Sequence, residues 1–157
     1  MTLVDRNGPE SQFRSPPALL SGGGGLVSSI ADYYRFCRML LGGGVLDGER
    51  IVGRKTIEFA TSNHLSSGGD LASMGRPVFS ETNYDGFGLG FSVVLDPART
   101  GVVSSVGTYA WGGAASTLFW IDPAEELIVI GMTQMMPSSS FPIRDQLRPQ
   151  IYGAIVD

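Results

Sequence analysis

Trp111-Gly112-Gly113-Ala114, followed by Ser116-Thr117-Leu118-Phe119-Trp120-Ile121, Asp122-Pro123-Ala124-Glu125 and Leu127-Ile128-Val129-Ile130-Gly131-Met132, is the stretch that decides the fold of this chain. Two short apolar runs, rich in β-branched and aromatic residues, flank a turn-forming Asp-Pro. That is a strand–turn–strand pattern. Upstream, Phe87, Leu89, Phe91, Val93 and Leu95 fall on alternate positions and predict one strand with one buried face. Asp96 to Gly101 is expected to turn the chain, and Val102 to Val106 to return it. Downstream, Ile143, Leu147, Ile151 and Ile155 repeat every four residues, a helical face interrupted by Pro149. Either a helix kinks at that proline or one starts there.

The N-terminal half adds helices. Met1 to Gly25 carries Pro9, Pro16, Pro17 and the run Gly22-Gly23-Gly24-Gly25 without any period, and reads as an extended segment. Ser29, with Asp32 three residues on, forms a capping box. The apolar set Ile30, Tyr33, Tyr34, Cys37, Leu40 and Leu41 makes a helical stripe that Gly42-Gly43-Gly44 ends. Val45 to Val52 reads as a hairpin around Asp47-Gly48, because that pair supplies the positive φ angles of a tight turn. A second helix is expected over Arg54 to Ser62, then a long polar surface loop over Ser66 to Asp85. Sequential antiparallel strands with helices before and after give an α+β architecture.

Composition narrows the function classes. The chain has 157 residues, 43% apolar and 17% charged, a globular balance suited to one core. A net charge of −4 with eleven scattered basic residues argues against a nucleic-acid partner. No apolar run approaches the roughly 20 residues of a membrane span. Met1 to Glu10 lacks the apolar core of a secretory leader. The single cysteine, Cys37, excludes an internal disulfide or a cysteine-cluster metal site, and its place in the stripe predicts a buried, inert thiol.

Several candidate motifs carry little. Gly86-x-Gly88-x-Gly90 invites a phosphate-loop reading, but such a loop needs a helix after it. The expectation is strand glycines that let a neighbour approach closely. His64 is the only histidine and lacks partners for a metal site or a triad, so a solvated or capping role is expected. No Gly-x-Ser-x-Gly elbow occurs. Thr61-Ser62-Asn63 and Thr82-Asn83-Tyr84 carry no weight as polar catalytic motifs. Asp85, Asp96, Asp122, Glu125 and Glu126 are read as turn carboxylates serving solubility and geometry. Trp111-Gly112-Gly113-Ala114 is the exception. Two glycines at a strand entrance allow a substrate's acyl group to approach the main chain, and Trp111 supplies apolar area with one N–H donor.

Taken with Gly22-Gly23-Gly24-Gly25-Leu26-Val27-Ser28-Ser29 and Gly86-Phe87-Gly88-Leu89-Gly90-Phe91, the Trp111–Ala114 segment resembles the C-terminal part of the serine β-lactamase-like hydrolases. That group includes class C β-lactamases, D-alanyl-D-alanine peptidases and esterases. The resemblance implies a three-layer fold, an antiparallel sheet flanked by helices. This chain would supply the last three strands, the C-terminal helix and the helices before them. Residues 1–25 would form an extended segment and 26–157 the C-terminal portion of the hydrolase domain. It further implies that Trp111, Gly112 and Gly113 bind substrate, with Trp111 where many relatives carry lysine. The Ala114 N–H would be one oxyanion-hole donor and the nucleophile's N–H the other. The family nucleophile is the serine of Ser-x-x-Lys. The only lysine here is Lys55, and three residues before it stands Val52, so this chain carries no such nucleophile. The expected substrate is a small ester or amide, an uncharged ester more naturally than a β-lactam, with no cofactor and no metal. The expected partner is an N-terminal half or a second copy. The alternative is a non-catalytic binding remnant of the same fold.

Overall fold

The computed structural model describes residues 5–6, 8–74 and 84–156, apart from the Ser139 side chain. Its centre is a five-stranded antiparallel sheet in chain order: β3 (Gly86–Phe87), β4 (Ser92–Val93), β5 (Tyr109–Gly112), β6 (Leu118–Asp122) and β7 (Leu127–Gly131). A separate small hairpin, β1 (Val45–Leu46) and β2 (Glu49–Arg50), precedes it. The helices are α1 (Ile30–Leu41), α2 (Arg54–Ala60), the single turn α3 (Pro97–Thr100) and α4 (Ile143–Tyr152).

The strand pair around Asp122-Pro123 forms as expected, with Leu118 opposite Gly131 and Asp122 opposite Leu127. Every residue of β6 is buried because both faces are covered. Phe119 and Ile121 join Cys37, Leu40, Val93 and Tyr109 on the α1 side. Leu118, Trp120 and Ala110 pack against Ile143, Leu147 and Ile151 of α4. A strand covered on both faces shows a continuous apolar run rather than alternation. The result is three layers, with α1 and α4 on opposite sides of the sheet. Helix α4 runs through Pro149, so the proline neither starts nor ends it.

Local chemistry explains the N-terminal elements. The Ser29 hydroxyl accepts the Asp32 N–H at 3.2 Å and donates to the Asp32 carboxylate at 2.7 Å, closing the first turn of α1. Asp47 (φ 50°) and Gly48 (φ 87°) make the tight turn between β1 and β2. At Gly44 (φ 91°) a Cβ would stand 2.0 Å from the Val52 carbonyl oxygen, so only glycine fits. Residues described within 5–25 contain one short 3-10 turn, Gln12–Arg14, and are otherwise irregular.

Three expectations are corrected. Phe87 to Leu95 is a hairpin, not one strand: Gly90 takes φ 97° and the Gly88 N–H bonds the Phe91 carbonyl at 2.8 Å. Val102 to Val106 is not a strand, and β5 itself returns beside β4. Val103 and Val106 are 56% and 67% exposed, while the Ser105 N–H is committed to the Asp122 carboxylate at 3.1 Å. The Ser66–Asp85 stretch is not simply an open loop. Asp70 and Leu71 are buried and Arg99 pairs with Asp70 at 2.7 Å. Thr82 and Asn83 lie outside the described residues.

Candidate functional site

Trp111 and Gly112 end β5, and Gly113 opens the turn that leads into β6. The glycine pair therefore stands at a strand exit rather than at the entrance. The Gly113 N–H bonds the Thr117 carbonyl at 2.9 Å and the Ser116 N–H bonds the Gly113 carbonyl at 3.0 Å. Ala114 occupies the second position of this turn, where an N–H has no partner within the turn itself. Ala114 is exposed, and among the described residues its N–H reaches no acceptor. The chain after β7 braces the turn from behind. Ser116 Oγ donates to the Met135 carbonyl at 2.7 Å, and Thr133 Oγ1 to the Ala115 carbonyl at 2.6 Å.

The two glycines also make room for neighbouring side chains. A Cβ at Gly112 would sit 2.0 Å from the Arg144 guanidinium, whose Nη2 donates to the Thr117 carbonyl at 2.8 Å. A Cβ at Gly113 would sit 2.3 Å from Thr117 Oγ1. Both empty Cβ positions therefore lie against side chains of the protein itself.

Beside this turn lies a cleft of ≈ 280 Å³ whose walls include Trp111, Tyr33, Phe119, Ile130, Met132 and Leu26. Among the described residues none of its lining side chains is charged. The Trp111 ring meets Phe87 at 5.2 Å and 72°, and Tyr33 meets Phe119 edge-on at 5.3 Å. Burial, and secondarily the charge of the nearby Cys37 thiolate form, pushes the Tyr33 phenol up to about 12. Tyr33 is thus a hydrogen-bond donor at neutral pH and no base. The cleft roles of Tyr33 and Leu26 were not visible in the sequence, where Tyr33 belongs to the α1 stripe and Leu26 to the end of a glycine run.

The remaining candidates lie elsewhere. His64 is exposed, its Nε2 2.7 Å from the Phe59 carbonyl and its ring against Phe59. Cys37 is wholly buried and burial raises its thiol to about 11. Lys55 is a surface side chain paired with Glu58. No cluster of three or more His, Cys, Asp or Glu side chains suited to a metal occurs among the described residues. Asp122 corrects the turn-carboxylate reading. Its Oδ1 does accept the Ala124 N–H at 3.1 Å, but the residue is fully buried. Its Oδ2 accepts the Tyr152 hydroxyl at 2.7 Å and the Ser105 N–H, joining α4 and the α3–β5 loop to the sheet. Asp85 is likewise buried, at 3% exposure.

Residues 2–152 match the family model described as Beta-lactamase. Two curated relatives from Mycobacterium tuberculosis strains, Uncharacterized protein MT1414 and Protein Rv1367c, are each 36% identical over 130 residues. The match covers 80% of this chain and 32% of theirs. Among solved structures, EstCE1, a hydrolase with promiscuous acyltransferase activity, superposes with TM-score 0.66 at 26% identity, over 85% of this chain and 32% of that one. Simvastatin synthase LovD from Aspergillus terreus gives TM-score 0.67 at 20% identity, over 91% and 37%, and shows the fold alone. The chain spans about a third of the length of these proteins.

Proposed function

This chain belongs to the Beta-lactamase family, and from that premise we propose that it forms the C-terminal cleft wall of a serine hydrolase acting on small uncharged esters through an acyl-enzyme. The observation that carries the reading is the braced Gly113–Ser116 turn. It leaves the Ala114 N–H without an acceptor among the described residues, beside a cleft whose described lining is mostly apolar and uncharged. The hydrolase and acyltransferase activity named for EstCE1 supports the same class.

In this mechanism a serine hydroxyl supplied by sequence outside this chain attacks the ester carbonyl carbon. Its proton passes to a base and then to the departing alcohol. Water then cleaves the acyl-serine, releasing the carboxylic acid and restoring the hydroxyl. The Ala114 N–H would meet the negative charge that develops on the carbonyl oxygen, a contribution of roughly 3 kcal/mol by comparison with measured oxyanion donors. Trp111 and the apolar walls would hold the acyl or alcohol group. With no cation on the described lining, a carboxylate-bearing substrate gains nothing here.

The test uses the longer protein that contains this segment. Trp111→Lys should lower kcat/KM for a neutral ester and raise it for a carboxylate-bearing one, because buried apolar area is exchanged for a cation. An unchanged ratio would remove Trp111 from the pocket. The absence of Ser-x-x-Lys favours a second reading, a binding module that does not cut. Fluorophosphonate labelling of the 157-residue chain separates the two. Labelling only after addition of an N-terminal half supports the hydrolase, and no labelling in either state supports the binding module.

The same proposal extends to a partner, and the surface supports it. Ile30 and Tyr34 of α1 are 54% and 48% exposed, and with Ile128 and Ile130 of β7 they line one shallow apolar face. Among the described residues strand β7 is a sheet edge without charge or proline, a template for another strand. An N-terminal half or a second copy of the chain would cover it.

A further inference from the structure

The end of α2 grips the β3–β4 hairpin on both sides of Phe87. The Asn63 side chain supplies one of its three hydrogen bonds to the hairpin and ties itself to the chain on either side. Its Oδ1 accepts the Phe87 N–H at 3.1 Å and the Leu65 N–H at 3.1 Å, while its Nδ2 donates to the Gly69 carbonyl at 2.8 Å. The His64 N–H bonds the Phe87 carbonyl at 2.8 Å, so both backbone polar groups of Phe87 are held by consecutive residues. The next contact is as close. The Leu89 N–H bonds the Ala60 carbonyl at 2.8 Å, and a Cβ at Gly88 would lie 2.2 Å from that same oxygen. At Gly86 a Cβ would lie 2.6 Å from Asn63 Cγ, so the amide occupies the space that glycine leaves. Strand β3 is only two residues long and, among the described residues, pairs with β4 alone.

What the grip presents is the Phe87 ring, edge-on to Trp111 at 5.2 Å and 72°. That geometry puts the electropositive edge of one ring against the π face of the other and favours a single indole orientation. Trp111 is half-buried and has the cleft on its open side. We infer that Asn63 and Phe87 are positioning residues for Trp111: Asn63 fixes the Phe87 backbone, and the Phe87 ring sets the indole that walls the cleft. Neither residue lines the cleft itself. The value of this for ester binding rests on the pocket reading above, whereas the positioning itself does not.

The experiment is 19F NMR of the 157-residue chain carrying 5-fluorotryptophan. The chain has two tryptophans, so two resonances are expected, and Trp111→Phe assigns them. Phe87→Leu and Asn63→Ala should each move or broaden the Trp111 resonance and leave that of buried Trp120 in place. Phe87→Tyr, which keeps the ring edge, should restore the native Trp111 position. Gly48→Ala, which strains a different hairpin, serves as the control for general loosening and should leave Trp111 unmoved. Because removing the Phe87 ring also removes its ring current at the indole, the deciding variant is Asn63→Ala, and a Trp111 resonance unchanged there would overturn the inference. So would a Trp120 resonance that shifts as far as that of Trp111, or a Trp111 shift of the same size in Gly48→Ala. Methyl butyrate added to the unmodified chain reads the pocket separately. If it fails to perturb Trp111 while Asn63→Ala does, the cleft assignment falls and the positioning role stands.

Discussion

Replacing Asp122 by asparagine tests how the sheet holds α4. The variant keeps the shape and the Oδ1 acceptor that closes the Asp122–Glu125 turn, but it turns Oδ2 into an NH₂ group. The Ser105 N–H then faces another donor in a fully buried place, at a cost of about 1–3 kcal/mol. The Tyr152 hydroxyl can rotate to accept, trading a charge-assisted bond for a neutral one at about 1 kcal/mol. Against this, the variant no longer buries a charge. The balance is decided by the carboxyl's own titration. Burial pushes its pKa up, but the hydrogen bonds from the Tyr152 hydroxyl and from Ser105 outweigh that and leave it below its ordinary value. The fold therefore prefers the ionised form. We expect a loss of about 3 kcal/mol at neutral pH, which for a domain of this size is roughly 6–12 °C in Tm. A group with a lowered folded pKa stabilises above its ordinary pKa of about 3.9, and this stability is lost as pH falls through the folded value. The gap between the two proteins should thus be constant from neutral pH down to about 5 and narrow below about 4. Thermal melts followed by circular dichroism would read both. A Tm loss under about 2 °C at neutral pH, or a gap that widens in acid, would refute the reasoning.

Gly44→Ala should cost about 3 kcal/mol or more in urea unfolding, since the methyl meets the Val52 carbonyl as well as an unfavourable φ. Gly48→Ala, with the same sign of φ and open space, should cost about 1–2 kcal/mol, and equal losses would contradict the close approach at Gly44. The chain alone should not turn over nitrophenyl esters; saturable hydrolysis abolished by one serine substitution would overturn this. Light scattering should find a dimer or larger species, or a complex when an N-terminal half is added. A monomer at high concentration that binds no apolar dye would count against the covered-face proposal.

What was legible in the sequence was what neighbouring residues decide among themselves. Ser29 and Asp32 cap α1, Asp47-Gly48 turns β1 into β2, and the two apolar runs around Asp122-Pro123 pair as strands. What was not legible depends on distant chain. Phe87 and Phe91 keep an alternating spacing although the chain reverses between them, so the pattern alone could not separate a hairpin from one strand. Asp122 finds its hydrogen-bond donors in Tyr152, 30 residues away, and Ser105, 17 away. At the candidate site the Trp111–Ala114 segment was readable as a motif. Its cleft was not, because Tyr33 comes from α1 and Leu26 from the segment before it.

The guanidinium of Arg144 lies where a side chain at position 112 would have to go, and it anchors α4 to the Thr117 carbonyl from there. Residues 112 and 144 therefore constitute one choice rather than two. A relative with alanine or serine at the first position must shorten or redirect the side chain at the second, and then needs another donor for that carbonyl. Covariation between these two columns, 32 positions apart in the chain, would be the evolutionary signature of a cleft rim whose shape is dictated from the opposite face of the sheet.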